Sequence, residues 1–199
     1  MKLYYTPGTC SLSPHIVAEE AGIPLELVKV DIRAHTIEDG SDYYAINPKG
    51  SVPALVLDSG DLLTEGPAIV QYLADQNPAS GLAPACGTLA RYRLQEWLTY
   101  INGEIHKTFG PLFHGAAGEE RRKIIQTIGQ KLTLPDRTLA GQPFLLGDTF
   151  TAADAYLFVM LTWAKKMHIA VPPALAQFFD RVAARPSVQA AIKAEAAGK

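Results

Sequence analysis

A chain in two unlike parts is predicted: a small mixed α/β sheet first, then an all-helical region. Three observations predict it. Residues 1–77 place short apolar runs of strand type around single helical stretches, in the order strand–helix–strand, then strand–strand–helix. Residues 78–87, within Asn77-Pro78-Ala79-Ser80-Gly81 to Pro84-Ala85-Cys86-Gly87, form a Pro/Gly/Ala-rich break that reads as a linker. Beyond it, residues 88–199 carry only helical periodicity.

The elements follow in order. Lys2 to Tyr5 is a strand stopped by Thr6-Pro7-Gly8, and Ser13-Pro14 opens a helix that Gly22 closes. Leu25 to Val30 alternates as a second strand, completing a βαβ unit for which a right-handed crossover is expected. Asp31 to Tyr44 is polar and aperiodic, a loop with a short helix. Ala54 to Leu57 and Leu62-Leu63 are strands about the turn Asp58-Ser59-Gly60-Asp61, and Pro67 to Gln76 is a helix. After the linker, Leu94, Trp97, Leu98, Ile101 and Ile105 trace one apolar stripe of a helix over 88–108, while Thr99, Asn102, Gly103 and His106 form a second, small and polar face. A helix from Glu119 is expected to kink or end at Pro135. Phe150-Thr151-Ala152-Ala153-Asp154 is a capping box, with Thr151 as N-cap, opening a helix apolar on nearly every side. Shorter helices start at Pro173 and Ser187.

The stretch Asn47 to Gly66 organises the first part. Proline after Val52 forces an extended backbone there, and a cis Val52–Pro53 bond leaves the Val52 N–H and C=O facing outward, able to hold a peptide as an extra strand. The helix start at Gly66 offers N–H groups to a carboxylate, with Glu65 beside it for an amine. Two readings stand: a site for a small peptide with both charges at one end, or an ordinary hairpin feeding a helix.

Composition narrows the field. Of 199 residues nearly half are apolar and the net charge is −2, so the chain reads as globular, without the basic run that nucleic-acid binding demands. Arg121-Arg122-Lys123 follows Glu119-Glu120 and reads as a solvated helix face. No secretory leader is expected, because Lys2-Leu3-Tyr4-Tyr5 runs at once into Pro7-Gly8, and the longest apolar run, Ala155 to Leu161, is too short for a bilayer. Two cysteines make no disulfide framework, so a reducing, cytoplasmic setting is expected. His15, His35, His106, His114 and His168 are scattered without metal-ligand spacing.

Two side chains can carry chemistry. Cys10 lies between a strand and a helix N-terminus, where the dipole lowers a thiol's pKa and Ser11 and Ser13 can donate to the sulfur; the alternative is a small buried hydrophobe. His106 lies on the polar-small face and can serve a nearby sulfur, or be a surface histidine with no such task.

The opening MKLYYTPGTCSLSPHI, Asn47-Pro48-Lys49-Gly50, Val52-Pro53-Ala54-Leu55, Leu63-Thr64-Glu65-Gly66 and Gln71-Tyr72-Leu73-Ala74-Asp75 resemble a bacterial beta-class glutathione S-transferase. Glu96-Trp97-Leu98, Glu104-Ile105-His106-Lys107, the run from Phe150 to Phe158 and Arg185-Pro186 extend the resemblance over the whole chain. It implies a thioredoxin-like N-terminal domain, a helical C-terminal domain supplying the electrophile pocket and dimer interface, a homodimer, and glutathione as co-substrate with no permanently bound cofactor and no metal. Carried over residue by residue, Cys10 and His106 are the catalytic pair; Val52, beside a cis Pro53, meets the cysteinyl unit; Glu65 and Gly66 take the γ-glutamyl end; Gly103, Glu104 and Lys107 line the site. Two positions depart from the pattern: His35 stands where relatives often have lysine for the glycyl carboxylate, and Thr99 where they often have asparagine. Phe109, Phe113, Trp163 and Met167 are either pocket lining for a small apolar electrophile or core. Three functions compete: conjugation of glutathione to electrophiles, thiol–disulfide exchange through Cys10, and a non-catalytic carrier or scaffold. Conjugation leads, and retention of Cys10, Pro53, Glu65 and His106 together argues against a scaffold.

Overall fold

The computed structural model describes residues 1–197. Its chain divides into two units, Met1–Ala83 with residues 184 onward, and Pro84–Ala183.

In the first unit, β1 (Lys2–Tyr5), α1 (Leu12–Ala21), β2 (Glu26–Asp31), β3 (Thr36–Ile37), β4 (Ala54–Val56), β5 (Leu62–Thr64) and α2 (Gly66–Gln76) follow in turn. The sheet order is β3-β2-β1-β4-β5, parallel between β1 and β2 and antiparallel elsewhere. Alternation along β1 divides its side chains between two faces. Tyr4 joins Val30, Tyr43, Val52 and Ala54 in one cluster, whereas Leu3 and Tyr5 are buried on the other side. Ile16, Val17, Ile69, Val70 and Leu73 bury the apolar faces of α1 and α2. Gly22 closes α1 in the left-handed region at φ 67°, its N–H bonding back to the helix as a C-terminal glycine does.

Two expectations change here. The polar segment after β2 contains the edge strand β3, besides a 3-10 turn at Tyr43–Ala45 whose N-cap is Asp42. The last helix, α8 (Pro186–Ala197), was expected within residues 88–199, yet by contact it falls in the first unit. Its inner side chains Val188 and Ala191 are fully buried. Its Glu195, 3% exposed, accepts the Gly8 N–H at 3.0 Å and faces His15 Nδ1 at 3.3 Å. Glu20 of α1 accepts from Arg185 and Ser187 at the start of α8.

In the second unit, α3 (Leu89–Tyr100) passes through a π-helical turn, Ile101–His106, into α4 (Lys107–Phe113). Then come α5 (Gly118–Leu139), α6 (Ala152–Lys166) and α7 (Pro173–Ala183). Every residue of α6 from Ala152 to Leu161 is buried, so an all-round apolar sequence makes the central helix. The capping box forms: the Asp154 carboxylate accepts from Thr151 N (2.8 Å), Thr151 Oγ1 (2.7 Å) and Leu145 N (2.8 Å). Burial still pushes that carboxyl up to about 6.

Of the two outcomes expected at Pro135, a kink or an end, the end does not occur: α5 runs on to Leu139. A proline cannot supply the N–H that the carbonyl four residues back would accept. That carbonyl belongs to Lys131, and the Tyr100 hydroxyl donates to it at 2.8 Å. The helix continues because another element fills the vacated bond.

Candidate functional site

The turn before β4 is held by side chains. Buried Asn47 donates from Nδ2 to Ser51 O (2.7 Å) and accepts from Lys49 N (3.1 Å), while Tyr43 Oη donates to the same Ser51 carbonyl at 2.9 Å. Gly50 sits at φ +63°, and a Cβ there would lie 2.6 Å from a Tyr44 ring carbon and 3.0 Å from His35 Nδ1, so only glycine fits. The Val52–Pro53 bond is cis. The Val52 carbonyl accepts from Cys10 Sγ at 3.2 Å, and the Val52 N–H has no partner among the described residues.

Glu65 is the N-cap of α2 and holds φ 71°, a left-handed backbone that a glutamate adopts only when its surroundings over-determine it. Its carbonyl takes the Ala68 and Ile69 N–H groups, each at 3.0 Å, and Pro67 has none to give. Of the N–H groups expected at this helix start, the Gly66 N–H is therefore the one left available within α2. The Glu65 carboxylate pairs with Lys49 Nζ at 2.6 Å, and the same ammonium donates to Thr64 Oγ1 at 2.9 Å. Lys49 received no role from the sequence, although its place between Pro48 and Gly50, beside the turn, was a usable signal.

Cys10 differs from expectation in sign. Burial pushes its thiol up to about 12, with the Glu65 charge adding, against the lowering from the Cys10 and Ser11 N–H groups. The sulfur is thus a protonated donor to Val52 O. Nor do the two serines serve it: Ser11 Oγ donates to Thr6 O (3.2 Å) and Ser13 Oγ to Cys10 O (2.9 Å). Helix dipoles are worth a fraction of a kcal/mol to about 2 kcal/mol, too little to offset removal of the sulfur from water. Cys86 is exposed, and both thiols are free.

His35 lies in the first unit with Asn47, Val52, Glu65 and Gly66, at φ 53°. Its Nε2 lies 3.1 Å from Tyr44 Oη, the rings 4.4 Å apart, and its buried Nδ1 has no hydrogen-bond partner among the described residues.

The second unit carries the remaining candidates. The π turn ends at His106, whose Nδ1 lies 2.5 Å from Tyr156 Oη of α6; that hydroxyl donates to Asn102 Oδ1 at 2.8 Å. Burial, helped by the Lys107 charge, lowers His106 to about 4, so the ring is neutral near pH 7. Trp163 meets it edge-on with centroids 4.9 Å apart, and Phe109 and Phe113 pack edge-on against the same indole. Thr99, Gly103, Glu104 and Lys107 are exposed, and the Glu104 carboxylate pairs with Lys131. Phe109 is fully buried and Trp163 nearly so, whereas Phe113 is half exposed. Tyr156 went unnoticed because it is one hydroxyl on an otherwise apolar helix; Asn102 was placed on the small polar face with His106 but was given no bond to either.

Comparison with known proteins gives a consistent result. The family model described as glutathione S-transferase, N-terminal domain, matches residues 8–76, and its C-terminal counterpart matches residues 117–191. Glutathione S-transferase GstA of Escherichia coli O157:H7 is 46% identical over 198 residues, covering 98% of both chains. A sphingomonad glutathione S-transferase solved in complex with glutathione is 47% identical, with a TM-score of 0.92 over 98% of this chain and 99% of that one. The bacterial beta-class enzyme of Sphingomonas chungbukensis is 44% identical, with a TM-score of 0.91 and 98% coverage of each chain.

Proposed function

This chain belongs to the glutathione S-transferase family, and from that premise we propose that it joins the glutathione sulfur to small apolar electrophiles. The supporting observation is the stretch from Val52 to Gly66, where an unpaired backbone N–H, a helix-start N–H and the Glu65 carboxylate lie together in one unit. In this reading the cysteinyl unit of glutathione pairs with the Val52 backbone, and its γ-glutamyl carboxylate and amine meet Gly66 and Glu65. His35 takes the glycyl carboxylate. Glutathione bound at Val52 competes for the carbonyl that Cys10 now uses, releasing that thiol to donate to another acceptor, the glutathione sulfur. The thiolate attacks the electrophilic carbon, a C–S bond forms, and the halide leaves with its bonding pair.

His106 is assigned to the same chemistry, with Thr99, Gly103, Glu104 and Lys107 as binding residues. An apolar class of electrophile is supported by Phe113, whose half-exposed ring packs on the buried Trp163 that meets His106. Thiol–disulfide exchange through Cys10 is less well supported, since its nucleophile must be a thiolate and burial holds this thiol near 12.

The reading includes a homodimer. The exposed Leu89 and Tyr92 of α3, at 71% and 59% exposure, are its contact residues in this reading. No described helix is long and apolar enough to cross a membrane, and the reading places the chain in the cytoplasm, with neither membrane nor nucleic acid as partner.

The test is the rate of glutathione addition to an aryl halide, measured beside reduction of a small mixed disulfide. Cys10→Ala is expected to lower conjugation about 2- to 12-fold, the worth of one hydrogen bond, and Cys10→Ser, whose hydroxyl still donates, to lower it less. His106→Ala is expected to lower it as well. Absence of both conjugation and calorimetric glutathione binding refutes the reading.

A further inference from the structure

We infer that Asn102 and Tyr156 lock His106 in the neutral form protonated on Nδ1, so that its Nε2 meets a thiol as an acceptor and not as a donor. A phenol has one O–H hydrogen, and Tyr156 Oη gives it to Asn102 Oδ1, a carbonyl oxygen that can only accept. Tyr156 Oη then faces His106 Nδ1 with a lone pair, at 2.5 Å. That contact is a hydrogen bond only if Nδ1 brings the proton. A neutral imidazole has one N–H, so Nε2 is left with its lone pair. Nε2 has no partner among the described residues, and the edge-on Tyr156 and Trp163 rings fix the imidazole plane.

The local sequence accounts for this. Asn102 and His106 are four residues apart, and the π turn between them brings both to the single hydroxyl of Tyr156. The low basicity of His106, near 4, keeps the ring neutral at working pH. A thiol approaching Nε2 therefore donates its S–H. On proton transfer the S–H bond breaks, an N–H bond forms at Nε2 and the electron pair stays on sulfur; a ring whose basicity is near 4 holds that proton only while the thiolate charge faces it, with Nδ1–H still bonded to Tyr156. Asn102 and Tyr156 act as positioning residues, through His106. Their weight in catalysis rests on the transferase reading; the protonation state of the ring does not.

The experiment is nitrogen-15 NMR of the full chain at about pH 8, where the pyrrole-type and pyridine-type ring nitrogens of a neutral histidine are distinguished. His106 is expected to be protonated on Nδ1. Tyr156→Phe is expected to shift it toward the Nε2–H form favoured in water. Asn102→Asp, whose carboxylate only accepts, is expected to keep the Nδ1–H form, and Asn102→Leu to lose it. In conjugation assays, Tyr156→Phe and Asn102→Leu should lower kcat about three- to tenfold with KM for glutathione nearly unchanged, and Asn102→Asp should recover most of it. An Nε2–H signal in the parent chain, or a Tyr156→Phe spectrum like the parent's, overturns the inference. An effect on KM alone overturns the positioning role. A parent chain with the Nδ1–H signal but no conjugation activity sinks the transferase reading and leaves the tautomer standing.

Discussion

Tyr100→Phe should destabilise the protein, and Pro135→Ala should remove that sensitivity. The Tyr100 hydroxyl donates to the Lys131 carbonyl at 2.8 Å, the acceptor that Pro135 cannot serve. Its loss removes a hydrogen bond worth about 1 kcal/mol net. A carbonyl left dry costs about 1–3 kcal/mol, but this one is only part-buried, so water reaches it and the expected total is about 1–1.5 kcal/mol. Alanine at 135 restores an N–H four residues after Lys131, and the carbonyl can then close an ordinary helical bond without the tyrosine. In that background Tyr100→Phe should cost about 0.5 kcal/mol or less. The cost of Pro135→Ala itself, from a buried ring lost and backbone freedom gained, cancels in the double-mutant cycle. The assay is urea unfolding of the four proteins at one protomer concentration, because an associating chain's stability depends on it. A coupling energy within about 0.3 kcal/mol of zero refutes the argument.

Three further outcomes are expected. Glu195→Leu leaves the Gly8 N–H and His15 Nδ1 without their buried acceptor and should cost about 2–4 kcal/mol in urea unfolding, whereas Glu195→Gln, still an acceptor, should cost about half as much; equal losses would mean that packing alone matters. Asp154→Ala strips three donors of one carboxylate at the start of the central helix and should cost about 3–5 kcal/mol, and a loss below about 1 kcal/mol would show the cap to be idle. With its thiol near 12, Cys10 is about one part in ten thousand thiolate at pH 8, so alkylation of the Cys86→Ser protein by iodoacetamide should stay slow and quicken about tenfold per pH unit up to pH 10; a rate already level by pH 8 would contradict the half-buried, protonated thiol.

What the sequence disclosed and what it withheld divide along physical lines. Local chemistry was legible: Pro7-Gly8 ends β1, Gly22 closes α1, and Thr151 with Asp154 opens α6. Each signal sits within a few residues of its effect. β3 escaped because two residues make no periodicity, and its existence depends on pairing with Val30 and Asp31. That α5 runs past Pro135 was not legible, because Tyr100, which serves the Lys131 carbonyl, lies on another helix. The candidate site shows the same split. Glu65, Gly66 and Val52 were nominated from motif and turn chemistry, but the Cys10 shift had the wrong sign, since burial is set by tertiary packing and outweighs the helix start. The hydroxyls of Ser11 and Ser13 went to backbone carbonyls that the sequence could not weigh against the sulfur.

The bond from Glu195 to Gly8 has a consequence for how this chain comes off the ribosome. The loop carrying Cys10 is made before the second unit, yet the carboxylate that holds it comes 187 positions after Gly8, beyond the whole of that unit. Translation of that unit's hundred residues, Pro84 to Ala183, takes about 5–20 s at ordinary elongation rates. Throughout that interval the sheet and α1 exist without α8, with the apolar surface that Val188 and Ala191 later bury still open. The first unit is therefore the last to be finished, and a chaperone that binds nascent chains should hold this one until α8 has emerged.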